Sequence, residues 1–257
     1  MIGISIKTIG TAISCVLLVV NAVGVASAAE IKLLSAVALQ LGIAGLIADF
    51  EKSTGSKVMV TYGTAGALTD RIQKGEVSDV VIVTGPQIDE LQKQGKVVSG
   101  SRVDIAKVGV GAVVRKGAAK PDISSADAFK RSLLAARLIA YPDPANGGAT
   151  GIYLASLFER LGIAVEMKPK TKLGQLSLYE SVANGEIDIG FNQISEILAQ
   201  PSVDFLGPLP PAIQGYTLFA AGIGAASSQV DVGKALVTFL SSPAAEAVLT
   251  AKGFVTR

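Results

Sequence analysis

The sequence predicts an α/β fold of two lobes joined by two crossovers, and three observations lead there. Short β-like apolar runs alternate with stretches whose apolar residues recur at helical spacing, the rhythm of a parallel sheet covered by helices. The run DVVIVT (79–84) is continuously apolar, as a strand buried on both faces should be. Two stretches then break the rhythm, VGVGAVVRKGAAKPDISSADAFKRSL (108–133) and PLPPAIQGYTLFAA (208–221), and each reads as a passage between lobes.

The elements follow in chain order. EIKLLS (30–35) is a strand, and Leu39, Ile43, Leu46, Ile47 and Phe50 form the buried stripe of a helix closed near Gly55. KVMVTY (57–62), the turn GTAGAL and a short helix to Lys74 come next, then DVVIVT and a helix from Gln87 to Gln94 ended by Gly95. A strand over 108–114 leads through Arg-Lys-Gly-Ala-Ala-Lys-Pro to a helix capped near Ser124 and Ser125. The second lobe repeats the pattern with RLIAY (137–141), a glycine-rich loop opening a helix in NGGATGIYLASLFERLG (146–162), VEMKPK (165–170), EIDIGF (186–191) and a short helix over Ile194–Leu198. The chain finishes in helices, the last with Ser242 as N-cap, Pro243 at its first position and Gly253 past its end. The expected division is residues 30–112 with 216–257 for the first lobe and 113–215 for the second.

Residues 1–29 stand apart. Lys7 is their only charge, TAISCVLLVV is apolar, and the small residues of NAVGVASAAE follow, which together describe a secretory signal peptide. Cleavage is expected before Ala29 or Glu30. The apolar run is shorter than the roughly 20 residues that span a bilayer. Cys15 lies mid-run, where a lipid-anchored cysteine would not sit. Nothing later is long and apolar enough to cross a membrane, so a periplasmic, non-spanning chain is expected.

Removal of that segment leaves 22 basic and 21 acidic residues and a net charge of +1, without the concentrated basic face that nucleic acid requires. The same 228 residues contain no His, Cys or Trp. That excludes Ser-His-Asp and Cys-His nucleophile systems, disulfides and the usual zinc or copper ligands, leaving only carboxylate sites for hard cations; no metal and no cofactor is expected. GTAGAL lacks the Gly-Lys-Ser/Thr ending of a phosphate loop, and VGVGAV and GIGAA lack the strand-to-helix context of a dinucleotide site.

What remains is a set of strand-to-helix junctions at the carboxyl edges of the sheets, where open α/β folds bind ligands. Four could present backbone N–H groups to an anion: Ser35-Ala36-Val37, Thr64-Ala65-Gly66, Thr150-Gly151 and Asn192-Gln193. Their hydroxyls and amides add neutral donors. Ser35, Thr64 and Thr150 taken singly read as ordinary helix caps. Four such junctions in matching places read as a site. A weak internal echo, GTAGAL against GATGIYL and GEVSDVVIVT against GEIDIGFNQ, places two junctions in each lobe.

Several stretches resemble the type II periplasmic solute-binding proteins: LLSAVALQLGIAGLIADFEKSTGSKVMVTYGTAGAL, GEVSDVVIVTGPQIDELQKQG, AVVRKGAAKPDISSADAF and LVTFLSSPAAEAVLTAKGF. Together these cover nearly all of residues 30–254, and they are most similar to the molybdate-binding branch serving ABC importers. The resemblance implies a small anionic ligand held between the lobes, a molybdate-like oxyanion or an organic carboxylate, delivered to an ABC permease. It weakens at the ligand positions. That branch carries Pro-Ala-Gly-x-Tyr where Ala149-Thr150-Gly151-Ile152-Tyr153 stands, and Tyr-x-Thr-Asp where Asn192-Gln193-Ile194-Ser195-Glu196 stands, which implies a ligand other than molybdate. The blocks SRVDI (101–105), AVVRKGAAKPDISSADAFKRSL (112–133), GIYL (151–154) and GEIDIGFNQISEIL (185–198) also resemble a periplasmic aconitate isomerase of the same fold. An enzyme of that kind needs a proton donor and acceptor without histidine. Glu196, Tyr153, Arg115 and Arg102 are the residues of suitable chemistry, and none of them is singled out as a general base.

Overall fold

The computed structural model describes Ile2 and residues 29–174 and 177–255. Apart from Ile2 and Ala29, the expected signal segment lies outside the described residues. The fold is mixed α/β, built on a curled sheet of nine strands in the order β2-β1-β3-β9-β4-β7-β5-β6, with β8 against β4.

Strand β1 (Glu30–Ala36) runs through a short 3₁₀ turn (Val37–Leu39) into α1 (Gln40–Thr54), which ends on Gly55 in the left-handed region. That backbone favours glycine, the reason for the sharp stop there. Strand β2 (Lys57–Gly63), α2 (Ala65–Gln73), β3 (Val80–Thr84) and α3 (Gly85–Lys93) follow. Both β2 and β3 lie parallel to β1. Val80 to Val83 are fully buried, as the unbroken apolar run requires.

Strand β4 (Val103–Arg115) is the long first crossover. Its first half pairs with β9 (Tyr216–Ile223), and from Val110 onward it pairs with β7 (Ile189–Gln193) and β8 (Val203–Pro208). All of these pairings are antiparallel, so the sheet is mixed where a parallel one is expected from the βα rhythm. The returning strand β9 inserts between β3 and β4, and residues from both chain ends share one core. At the passage, the Gln214 side chain bonds both backbone groups of Val110: its Oε1 accepts from the N–H at 3.0 Å and its Nε2 donates to the carbonyl at 3.0 Å.

Beyond β4 come α4 (Ala126–Ala135), with Ser125 accepting from the Ala128 N–H as N-cap, β5 (Ile139–Tyr141) and α5 (Ala149–Arg160). The segment 165–170 is not a strand. Ala164–Met167 forms a single turn, α6, and Lys168–Lys170 a 3₁₀ turn, because Met167 turns inward to a core containing Leu157 and Ile163. The strand follows as β6 (Thr171–Leu173). Helices α7 (Leu178–Ala183) and α8 (Ile194–Leu198) flank β7. The chain closes with α9 (Val230–Leu240) and α10 (Pro243–Ala251), whose N-cap is Ser242.

The buried residues fall into separate clusters. One apolar cluster joins residues between Ile31 and Val108 to those between Phe219 and Phe254, and two others gather residues between Val110 and Ile213. Each fully buried Leu, Ile or Phe contributes on the order of 1.5–3 kcal/mol.

Candidate functional site

Between the two lobes lies a small cavity of about 30 Å³. By the measure on which one water needs about 10–15 Å³, it holds two or three atoms of that size. Its walls come from strand-to-helix junctions: Ala36 and Val37 after β1, Thr64 and Ala65 at the start of α2, Ala149 and Thr150 at the start of α5, Asn192 and Gln193 at the end of β7. Phe219 of β9 forms apolar wall.

Seven of the ten junction residues expected at the site line this cavity; Ser35, Gly66 and Gly151 do not. Ser35 is fully buried in β1, with its hydroxyl donating to the Ala36 carbonyl at 3.3 Å. Neighbouring strand residues point to opposite faces of the sheet, which is why Ser35 turns away. Gly151 faces inward against the preceding loop, where a Cβ would lie 1.9 Å from the Pro142 carbonyl oxygen. Its glycine serves close packing of α5 on that loop.

The two long helices that begin at the cavity are treated differently. Thr64 caps α2, accepting from the Ala67 N–H at 3.2 Å and donating to the Asn146 carbonyl of the other lobe at 2.9 Å. Helix α5 starts after Gly148 with no side-chain cap. Its first-turn N–H groups have no acceptor within the helix and are directed outward by the backbone geometry. Thr150 stands in that first turn, 1% exposed, and its hydroxyl is buried without a hydrogen-bond partner. The same holds for Oε1 of Gln193, whose Nε2 donates to the Thr217 hydroxyl at 2.9 Å. Because that hydroxyl can equally donate, a half-turn of the amide keeps the bond and turns N–H groups where Oε1 stands. A buried polar atom left unsatisfied costs about 1–3 kcal/mol. Both residues line the same small space.

The lining contains no Lys or Arg among the described residues, and its one acid is Glu196. Glu196 sits in the first turn of α8 and accepts from Asn192 Nδ2 at 3.3 Å. The same Nδ2 donates to the Tyr179 hydroxyl at 3.0 Å. Burial, and then the nearby Glu196 charge, raises the Tyr179 phenol well above its ordinary value, against a smaller opposing effect of Asn192. The phenol is a neutral group in this cluster.

The other residues of suitable chemistry are elsewhere. Arg102 is tied to Asp89 at 2.6 Å and Asp104 at 3.0 Å on the first lobe. Arg115 borders a groove with Arg137 and Asp188 rather than the cavity. Tyr153 packs on the second crossover, donating to the Ile213 carbonyl at 2.7 Å, with Arg160 over its ring. Of the four, the fold brings only Glu196 to the cavity. Gly147 and Gly148, in the glycine-rich loop that the sequence places ahead of α5, also form part of the wall and are not among the junction residues expected there. The Gly-Gly pair ahead of an apolar helix was the available signal.

The lobes also touch directly. A Cβ on Gly66 would lie 2.5 Å from Gly147 Cα, so the two backbones meet at the cavity mouth. Nearby, the Ser195 hydroxyl donates to the Ala38 carbonyl at 2.6 Å. With the Thr64 to Asn146 bond, these contacts join the two lobes beside the cavity.

Comparisons with known proteins agree with the architecture. The family described as bacterial extracellular solute-binding protein matches residues 31–255. The chain is 34% identical over 212 residues to an aconitate isomerase from a Pseudomonas species, covering 78% of this chain and 79% of that one. It is 27% identical over 240 residues to the molybdate-binding protein ModA of Azotobacter vinelandii, covering 89% and 91%. Among solved structures, a periplasmic molybdate-binding protein of Azotobacter vinelandii superposes with a TM-score of 0.75 at 21% identity, over 89% of this chain and all of that one.

Proposed function

Since the chain belongs to the family of bacterial extracellular solute-binding proteins, we propose that it captures a small anion, an oxyanion or a carboxylate, in the cavity between its lobes and delivers it to an ABC permease. One observation carries this reading: the uncapped start of α5 and the unpartnered Thr150 hydroxyl border a space with no Lys or Arg among its described lining residues. Neutral N–H and O–H donors suit an anion because they stabilise its charge without introducing a competing ion pair. Closure of the lobes over the ligand would bring Thr64 onto Asn146 and Gly66 onto Gly147, with residues 30–112 and 216–257 moving against 113–215. The N-terminal 29 residues would direct export to the periplasm and be removed.

The test is a thermal-shift panel on the mature chain with molybdate, tungstate, sulfate, and di- and tricarboxylates. A ligand at 100 times its Kd adds about 2.7 kcal/mol, a rise of roughly 5–11 °C for a chain of this size. A shift with at least one anion is expected; no shift with any of them at millimolar concentration overturns the reading.

A second reading is supported by the 34% identity to an aconitate isomerase, which exceeds that to the molybdate-binding relative. In it the same cleft interconverts cis- and trans-aconitate. Proton NMR of cis-aconitate incubated with the protein decides the matter, the trans isomer growing in over hours if the reading holds.

A further inference from the structure

The donors and acceptors around the cavity do not match an anion whose oxygens are all bare. On the donor side stand the first-turn N–H groups of α5 and the Thr150 hydroxyl, 1% exposed and without a partner. On the acceptor side stand two side chains from the end of β7 and the start of α8. Gln193 is 2% exposed, and its Oε1 is buried with no hydrogen-bond partner. Glu196 lines the same space, its Oε2 accepting from Asn192 Nδ2 at 3.3 Å. The Gln193 amide can be turned to offer N–H groups, but an ionised carboxylate accepts in every orientation. Its two oxygens carry about four lone-pair sites, so one donor does not exhaust them. No Lys or Arg stands among the described lining residues to balance that charge. A fully bare anion would set like charge against Glu196 with no cation between them.

We propose that the cavity selects a small oxyanion that carries its own proton, of the hydrogenphosphate class. Its bare oxygens accept from the start of α5 and the Thr150 hydroxyl, and its O–H donates to the Glu196 carboxylate. The proposal rests on the anion-binding reading and names its ligand class. A cavity of about 30 Å³ suits a ligand of only a few heavy atoms. A ligand with acceptors on one side and a donor on the other satisfies both kinds of wall group, where a bare oxyanion leaves the acceptors facing lone pairs. The ligand's proton also lowers its charge by one, which reduces repulsion from the acid in a partly desolvated space. Asn192 holds that acid in place. Its Nδ2 donates to both Glu196 and the Tyr179 hydroxyl, while its Oδ1 accepts from the Gln193 N–H at 2.9 Å. Both ends of the amide are engaged, so its orientation and the direction it gives the carboxylate are fixed. The resulting choice is between protonation states of similar tetrahedra, a filter that size alone does not supply.

The experiment titrates the full mature chain with two pairs of matched tetrahedral anions by isothermal calorimetry at neutral pH. Phosphate and arsenate carry at least one proton there; sulfate and selenate carry none. Wild type is expected to bind phosphate about 100-fold or more tighter than sulfate, and arsenate likewise tighter than selenate. The bare anions remain measurable at millimolar concentration. Glu196→Gln removes the charge and supplies an amide donor, so both ratios are expected to fall about tenfold or more as the bare anions gain. Glu196→Asp keeps the charge and should keep the preference. Thr150→Val should weaken all four anions alike and leave the ratios where they were. Since each ratio compares two ligands on one protein, partial loss of folded protein does not mimic the effect. Sulfate bound as tightly as phosphate, or a preference confined to one pair, overturns the proposal, as do unchanged ratios in Glu196→Gln. If anions bind without this preference, the selection by proton alone falls; if none of the four binds and the wider anion panel is silent too, the anion-binding reading falls with it.

Discussion

Replacing Thr150 by Val should move stability and affinity in opposite directions. The side chain is 1% exposed and its hydroxyl has no hydrogen-bond partner in the protein, so Val keeps the shape and removes an unsatisfied polar group. Such a group costs about 1–3 kcal/mol when buried. The ligand-free variant should therefore be more stable by about 1 kcal/mol, taking the low end because the hydroxyl regains water whenever the lobes part. For a chain of this length that is a rise in Tm of about 2–4 °C. Binding should suffer. A hydrogen bond to a charged acceptor contributes roughly 1.5–3 kcal/mol, equivalent to about 10- to 150-fold in Kd. Differential scanning calorimetry of the ligand-free protein and isothermal titration with the most stabilising anion of the panel measure the two effects separately. A variant that melts lower and binds as wild type would refute the reasoning, because the hydroxyl would then be a structural group.

Gly66→Ala places a methyl 2.5 Å from Gly147 Cα across the mouth, so it opposes closure rather than folding. Overpacking of this kind costs about 1–3 kcal/mol, and affinity should fall roughly 5- to 150-fold with an unlowered ligand-free Tm; unchanged titration isotherms would contradict it. Gln214→Ala removes both bonds to Val110 where the chain passes between lobes. It should destabilise by about 1–3 kcal/mol in urea melts, and a change below about 0.5 kcal/mol would count against the clamp. Asp188 accepts from the Arg137 backbone N–H at 2.7 Å and from its guanidinium at 2.6 Å. Burial opposes ionisation there, but the Arg137 contacts outweigh it and the carboxyl lies below its ordinary value. A carboxyl depressed in the folded state contributes stability above the unfolded pKa near 4, and loses it as pH falls through the folded value. Since Arg137 is largely exposed, Asp188→Asn should cost at most about 1 kcal/mol at pH 7 and leave stability less dependent on pH below 4. Melts giving parallel acid limbs for the two proteins would argue against it.

Much of this architecture is legible in the sequence because its signals are local. The buried run at Val80–Val83, the stripe of α1, the cap at Ser125 and the Ser242-Pro243 start of α10 each depend on a few neighbouring residues. The antiparallel insertion of β9 between β3 and β4 is a tertiary choice with no such local mark. VEMKPK alternates like a strand, yet burial of Met167 against Leu157 and Ile163 makes it helical. At the site, the junctions are readable as glycine-rich or hydroxyl-bearing helix starts. Which residue of each junction faces the cavity is not, because that depends on helix phase and strand pleat. Thr150 faces it while Gly151, one residue on, packs on Pro142; Ala36 faces it while Ser35, one residue back, does not. Glu196 shows the same limit. Its position in the first turn of α8 is a common place for an acid, and only the fold brings that turn beside Val37 at the cavity edge.

In the proposed function the anion sits in the cavity between the lobes, held against the start of α5 and beside the capped start of α2. Amide chemical shifts of the ¹⁵N-labelled mature chain, recorded during titration with the most stabilising anion of the panel, test it most directly. Saturable shifts that are largest at Ala65, Gly66, Ala149 and Thr150, from both lobes and with a single Kd, are the predicted result. Saturable binding that leaves those four amides unmoved, with its largest shifts outside the cavity, would contradict it.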